Sequence, residues 1–361
     1  MRKDPFISTV LKVAVLIFVS LTTITVFFAG LFFAIMLLVG GIAASTGEFS
    51  DISPLQYKTI VGDESDEKLL SVKVNGMILG EKEELPNPFD FFAAGITYGY
   101  EVKQELMDAA EDESIKGVIL EINSPGGTIY GSHAISDGVA YYKKKTNKPV
   151  IAFISGLGAS GAYWSAASAD AIYADYGSTI GSVGVLFGPF QYYDKVLSED
   201  GGAFLGGVVT QNGIETKYFT AGKSKDIGNP YRQLTSEEVS SMQESVDNEY
   251  DDFVSFVSKQ RKIPEQQLRD QIGAMVYENK RAESLKLING TKNKQAAYQD
   301  LAGKAGIGDE FQIVSVRREP SFVEMFLESM TQRKTPSVAS CPSHLFSTML
   351  VYFGDPARIC S

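Results

Sequence analysis

Two stretches restrict the fold more than any others: "IKGVILEINSPGG" (115–127) and "KPVIAFISGLGASGAYW" (148–164). Each runs an unbroken apolar segment, Val118–Leu120 in one and Val150–Ile154 in the other, directly into a glycine-rich turn. A strand with one wet face alternates apolar and polar residues. A strand apolar at every position has to be covered on both faces. Helical spacing surrounds these runs, with Val102, Leu106 and Ala109 in "GYEVKQELMDAAED" (99–112) before them and "SHAISDGVAYYKKK" (132–145) between them. The β-branched alternation of "KLLSVKVNGMILG" (68–80) predicts a further strand, and "DAIYADY" (170–176) and "STIGSVGVLF" (178–187) two more. Repeated alternation of strand and helix predicts an α/β core with a largely parallel sheet.

The flanks read differently. Arg2, Lys3 and Lys12 precede a charge-free run from Val13 to Gly47 that contains "VAVLIFVSLTTITVFFAGLFFAIMLLVGG". A membrane helix needs about 20 apolar residues, more than the ~7–15 of a signal-peptide core. We therefore expect an uncleaved transmembrane anchor at 13–41, after a cytoplasmic N-terminus at 1–12. The basic residues lie before the anchor, and Glu48, Asp51, Asp63, Glu64, Asp66 and Glu67 follow it, which places the body on the extracytoplasmic side. Residues 42–67 read as a linker. A net charge of −11 excludes the basic footprint of a nucleic-acid binder. Cys341 and Cys360 sit in the last 21 residues, where they could close a small disulfide loop. With only His344 near them they make an unconvincing metal site, and no metal or cofactor is expected.

In the C-terminal half, Thr235 and Glu238 form a capping-box pattern at the start of a long helix. Val239, Met242, Val246, Tyr250, Phe253 and Val257 give it one apolar face, suited to packing on the core or on a sister subunit. The Gly- and Asn-rich stretch 198–216 reads as a loop or short hairpin, and "EFQIVSV" as the last strand. After Pro320, "SFVEMFLESM" is a short amphipathic helix, and the rest of the tail has no evident place in a core.

Chemistry concentrates at the two glycine-rich turns. In "GLGASGAYW", Ser160 is surrounded by Gly158, Ala159, Gly161 and Ala162 at the expected start of a helix, where backbone N–H groups are unsatisfied. An oxyanion formed there would be stabilised by N–H donors from both turns. Taken alone, each motif also fits tight helix packing or an ordinary turn. A serine nucleophile needs a base. The near match to G-x-S-x-G calls for a late histidine, but His344 lies in the tail and His133 precedes the serine on a helix surface. Lysine remains, in the form used by serine–lysine dyads when burial lowers its pKa towards about 7–8. "TAGKSKDIGNP" (220–230) offers both Lys223 and Lys225, and spacing does not choose between them.

The ordered motifs "NSPGG" (123–127), "GASGAYW" (158–164), "GSVGV" (181–185) and "GKSKDIGNP" (222–230), followed by "TSEEVSSMQESVDNEYDDFV", resemble the signal peptide peptidase A or protease IV family, peptidase S49, over about residues 70–310. The resemblance implies a crotonase/ClpP-like α/β spiral, a catalytic domain at 68–318 and a C-terminal helix and tail at 319–361. It implies Ser160 as nucleophile, Lys225 as base, Ser182 as the residue orienting that base, and the backbone N–H groups of Gly127 and Gly161 as oxyanion hole. It also implies a homo-oligomeric ring in which one subunit supplies serine and another lysine, acting on membrane-derived peptides such as remnant signal peptides. Two features depart from the family pattern: Ala162, where a second glycine is common, and the long 198–216 loop. A crotonase-like acyl-CoA enzyme and a catalytically silent membrane scaffold are the competing readings.

Overall fold

The computed structural model describes residues 56–82, 95–190, 192, 219–308, 311–316 and 350–352, and, nearer the N-terminus, 16, 18–20, 22–28, 30 and 31. The chain divides into two compact units, Met1–Pro54 and Leu55–Ser361. In the first, the described residues are helical and present Leu16, Phe18, Val26 and Phe27 without cover. Hydroxyls of Ser20, Thr22 and Thr23 bond back to carbonyls on the preceding turn, so the helix exposes little unsatisfied polarity. Among the described residues no helix is long and apolar enough to cross a membrane. The expected anchor at 13–41 extends outside those residues, as do the 198–216 loop, "SFVEMFLESM", His344 and both cysteines.

The second unit is built on an eleven-stranded sheet. Its main path runs β1 (Tyr57–Val61), β10 (Gln312–Val316), β2 (Lys68–Leu79), β4 (Ile115–Thr128), β5 (Val150–Ala159), β6 (Ala171–Ala174) and β9 (Gly290–Thr291). All neighbours from β10 to β9 are parallel. Only β1 on β10, and two pairings near the site, are antiparallel.

The unbroken apolar runs find cover on both faces, as their composition requires. Val118, Leu120, Ile122, Ala152 and Ile154 point to one side, under α1 (Gly99–Glu111), α2 (Ile129–Thr146), α3 (Gly161–Ala167) and α4 (Ser236–Arg261). Ile119, Ile151 and Phe153 point to the other, under Ala297, Tyr298 and Leu301 of α7 (Lys294–Ala305). On that side Glu121 is buried. It accepts hydrogen bonds from Lys294 at 2.6 Å and Tyr298 at 2.5 Å, so the carboxylate entering the core is paired.

Three features differ from the sequence reading. The stretch read as a linker supplies β1, whose middle residues are all exposed and so carry no strand signature. Strand β4 does not stop at "NSPGG" but continues through it to Thr128, with a register shift opposite Asn75–Met77 that absorbs the turn-like residues. The tail contributes Leu350–Tyr352 as β11, antiparallel to Gly126–Thr128 of β4. Helix α4 begins as expected, with the Thr235–Glu238 capping box fully formed. Its apolar stripe is divided, however. Phe253 and Val257 are buried, and Trp164 of α3 stacks on Phe253 at 4.5 Å and Phe256 at 5.4 Å, while Val239 at the other end is half exposed.

Candidate active site

The site forms where β4 and β5 end. Their pairing stops at Ser124 opposite Gly158, whereas on its other edge β4 stays paired to β2 through Gly127 opposite Ile78. The strands therefore part just before Ser160, and β4 from Gly126 onward keeps one edge towards the gap. Leu350–Tyr352 takes that edge. Glycine is required at 127, because a Cβ there would sit 1.9 Å from the Ile78 carbonyl oxygen of the paired strand. The turn is fixed from within: the Gly126 N–H donates to Ser124 Oγ at 3.1 Å, and Thr128 Oγ1 accepts from the Gly131 N–H to cap α2. Asn123, which motif reasoning passed over, accepts the Leu157 N–H at 3.2 Å and so ties the two glycine-rich ends together. Its only sequence signal is its place at the head of "NSPGG".

Ser160 stands between β5 and α3 with φ 57° and ψ −121°, a backbone conformation that L-residues avoid. Such strain costs about 1–3 kcal/mol and persists only where the surroundings enforce it. Here the Ser160 N–H donates to the Gly181 carbonyl at 2.8 Å, and its own carbonyl accepts the Trp164 N–H at 2.9 Å, the first turn of α3. The side chain is completely buried, and Oγ has no hydrogen-bond partner among the described residues. A buried hydroxyl left unpaired costs a further ~1–3 kcal/mol.

The order of strands brings Ser182 to this point. Strand β7 (Thr179–Gly181) runs parallel to the end of β5, with Ala159 opposite Gly181, so Ser160 and Ser182 follow side by side. Ser182 also has a positive φ of 56°, and its N–H donates to the Met275 carbonyl at 2.7 Å. Ser160, Gly161 and Ser182 are thus gathered on one pair of strand ends, with Gly127 on the neighbouring strand.

Lys225 lies exposed in a run of tight turns from Gly222 to Arg232, and among the described residues no hydrogen bond or ion pair engages its side chain. No hydrogen bond within the chain joins it to Ser160. Lys223 is paired with Glu237 on α4. The two lysines thus differ: among the described residues Lys223 is ion-paired and the Lys225 side chain is not. His133 lies exposed on α2, 3.4 Å from Asp137, and makes no bond to Ser160.

Arg232 fixes the turn that carries Lys225. Its Nε and Nη2 donate to the two oxygens of Asp226, at 2.9 and 2.8 Å. Its Nη1 and Nη2 donate to the two oxygens of Glu238, both at 2.8 Å, and Nη1 also reaches the Gln233 carbonyl at 3.0 Å. Glu238 in turn accepts the Thr235 N–H at 2.8 Å. The guanidinium, the Thr235 N–H and the Ser224 hydroxyl hold the Glu238 carboxyl well below the usual carboxylate range.

Parallel strands covered on both faces, with a strained serine where a strand turns into a helix and a glycine-only approach beside it, fit the ClpP-like α/β class. Residues 142–308 match the model of peptidase family S49. The matched segment contains Ser160, Gly161, Ser182 and Lys225, with Gly127 upstream of it. A Methanocaldococcus jannaschii protein named "putative protease" is 33% identical over 56% of this chain and 61% of its own length. An Enterococcus faecium protein named "putative signal peptide peptidase SppA" is 27% identical over 72% of this chain and 70% of its own. Protease 4 of Haemophilus influenzae is 27% identical over 73% of this chain but 38% of its own. The chain therefore spans less than two thirds of the first of these relatives and well under half of the last.

Proposed function

We propose that this protein is a membrane-anchored serine endopeptidase in which Ser160 is the nucleophile and Lys225 the base. The observation that carries the reading is the Ser160 side chain: a buried hydroxyl with no partner, on strained backbone, at the head of a helix. Two costs accepted at one residue are intelligible if that hydroxyl is reserved for a reaction. The match of residues 142–308 to S49 favours a peptide substrate over an acyl-CoA thioester, and the presence of both serine and lysine disfavours a silent scaffold.

In the reaction, Ser160 Oγ attacks the peptide carbonyl carbon while a neutral Lys225 amine accepts its proton. Backbone N–H groups of Gly127 and Gly161 stabilise the oxyanion, a contribution typically worth about 3–4 kcal/mol per donor. Collapse of the intermediate expels the amine product, which takes the proton from Lys225, and water then hydrolyses the ester. Ser182, side by side with Ser160, orients the lysine. No hydrogen bond joins Lys225 to Ser160 among the described residues, which supports a lysine supplied by a neighbouring copy in a homo-oligomeric ring. The edge of β4 that Leu350–Tyr352 occupies suits an extended substrate in its place, because main-chain pairing of that kind needs no particular side chain. The exposed apolar helix near the N-terminus and the flanking charges support a single span with the body outside. Membrane-derived peptides, remnant signal peptides among them, would then be the substrates within reach.

The test is hydrolysis of a fluorogenic peptide by the detergent-solubilised full chain, together with labelling by a serine-reactive phosphonate. Ser160→Ala and Lys225→Ala should each abolish turnover, label should map to Ser160, and His133→Ala should behave as the parent. Turnover retained by Lys225→Ala would remove the dyad.

A further inference from the structure

We infer that Arg232 is a positioning residue for Lys225, acting through a clamp made with Asp226 and Glu238; the inference rests on the Ser160–Lys225 reading above. Lys225 stands between two gripped neighbours. Asp226 is held by a two-pronged contact to Arg232, and Ser224 reaches Glu238 on the other side. The five guanidinium N–H donors make five bonds, to Asp226, Glu238 and the Gln233 carbonyl, so the planar fork has no freedom to pivot. Glu238 belongs to the capping box of α4 and is almost fully buried, so the clamp fastens the lysine's turn to a helix end rather than to another loop. Among the described residues no hydrogen bond or ion pair engages the Lys225 side chain. A free amine on a rigidly held backbone is the arrangement expected of a group that must meet a partner supplied from outside its own chain.

Charge leads to the same assignment. Arg232 compensates Asp226 and Glu238, and Lys223 compensates Glu237. All three carboxylates are thus ion-paired, the single guanidinium charge being shared by two of them. Removing the guanidinium would leave two of them uncompensated beside an amine that has to give up its proton.

The experiment compares Arg232→Lys, Asp226→Asn and the neutralised triple variant Arg232→Met/Asp226→Asn/Glu238→Gln in the full-length solubilised protein, with Lys225→Ala alongside. Lysine keeps the charge of Arg232 but loses the fork. Expected for Arg232→Lys is a fall in kcat of about 10²-fold with KM within about twofold of the parent, because the β4 edge that would hold substrate is untouched. Amide exchange in the 222–230 peptide should rise while that of β4 and β5 stays the same. Should the single variants unfold, the triple variant, which leaves no buried charge unpaired, is expected to fold and to show the same loss in kcat. Parent-like kcat in folded Arg232→Lys or in the triple variant overturns the positioning role and leaves the dyad standing. A fully active Lys225→Ala overturns both.

Discussion

Ser160 combines backbone strain and an unpaired buried hydroxyl, and both should register in stability. Glycine adopts its conformation without strain, at the cost of some added entropy in the unfolded chain. Ser160→Gly should therefore raise unfolding stability by about 1 kcal/mol while abolishing turnover, measured by denaturant titration of the full chain. Gly127→Ala should act in the opposite sense. Its Cβ would meet the backbone of β2, so the strands must separate, at a cost of about 1–3 kcal/mol and with loss of phosphonate labelling at Ser160. The prominence of Ser160 was legible in the sequence because small neighbours and an apolar strand precede a helix start. Its φ was not legible, since that angle depends on the Gly181 carbonyl and the α3 turn holding it from both sides. The ion pair that distinguishes Lys223 from Lys225 was equally hidden, because it is made with Glu237, which lies 14 positions from Lys223.

Among the elements, those with dense side-chain patterns could be read directly. The unbroken apolar runs became β4 and β5, and the Thr235–Glu238 spacing became a capping box. Elements held mainly by main-chain pairing could not be read: β1 is exposed along its middle, and β11 is three residues long. The apolar stripe on α4 was legible as a stripe, but the sequence does not say that its two ends meet different surroundings. The N-terminal end of α4 makes a prediction about pH. The Glu238 carboxyl is held below its unfolded value, chiefly by Arg232, so its contribution is complete above the ordinary carboxylate range of about 4–5 and is lost as pH falls through and below it. Glu238→Gln should accordingly be less stable than the parent at pH 7, and the difference should shrink steadily on acidification. Chemical unfolding followed from neutral to acid pH tests this, and a difference independent of pH would refute it.

At the scale of the whole molecule, the proposed sharing of serine and lysine between neighbouring copies would make catalysis a property of the assembly. Mixing inactive Ser160→Ala with inactive Lys225→Ala, with dissociation and reassembly, should restore activity. Equal amounts should recover about one quarter of the parent's sites, since each working site needs serine from one variant and lysine from the other. No recovery after verified mixed assembly would place both groups in one subunit. Strand β11 has a separate consequence. A segment tethered to the chain whose edge it occupies behaves as a ligand at an effective concentration of order millimolar, present at every site and never diluted. An incoming peptide would have to outcompete it, so the tail would act as a competitive inhibitor in cis. Removing residues 350–361 should lower the apparent KM for short peptides and leave kcat unchanged, by the same factor for loosely and tightly pairing peptides.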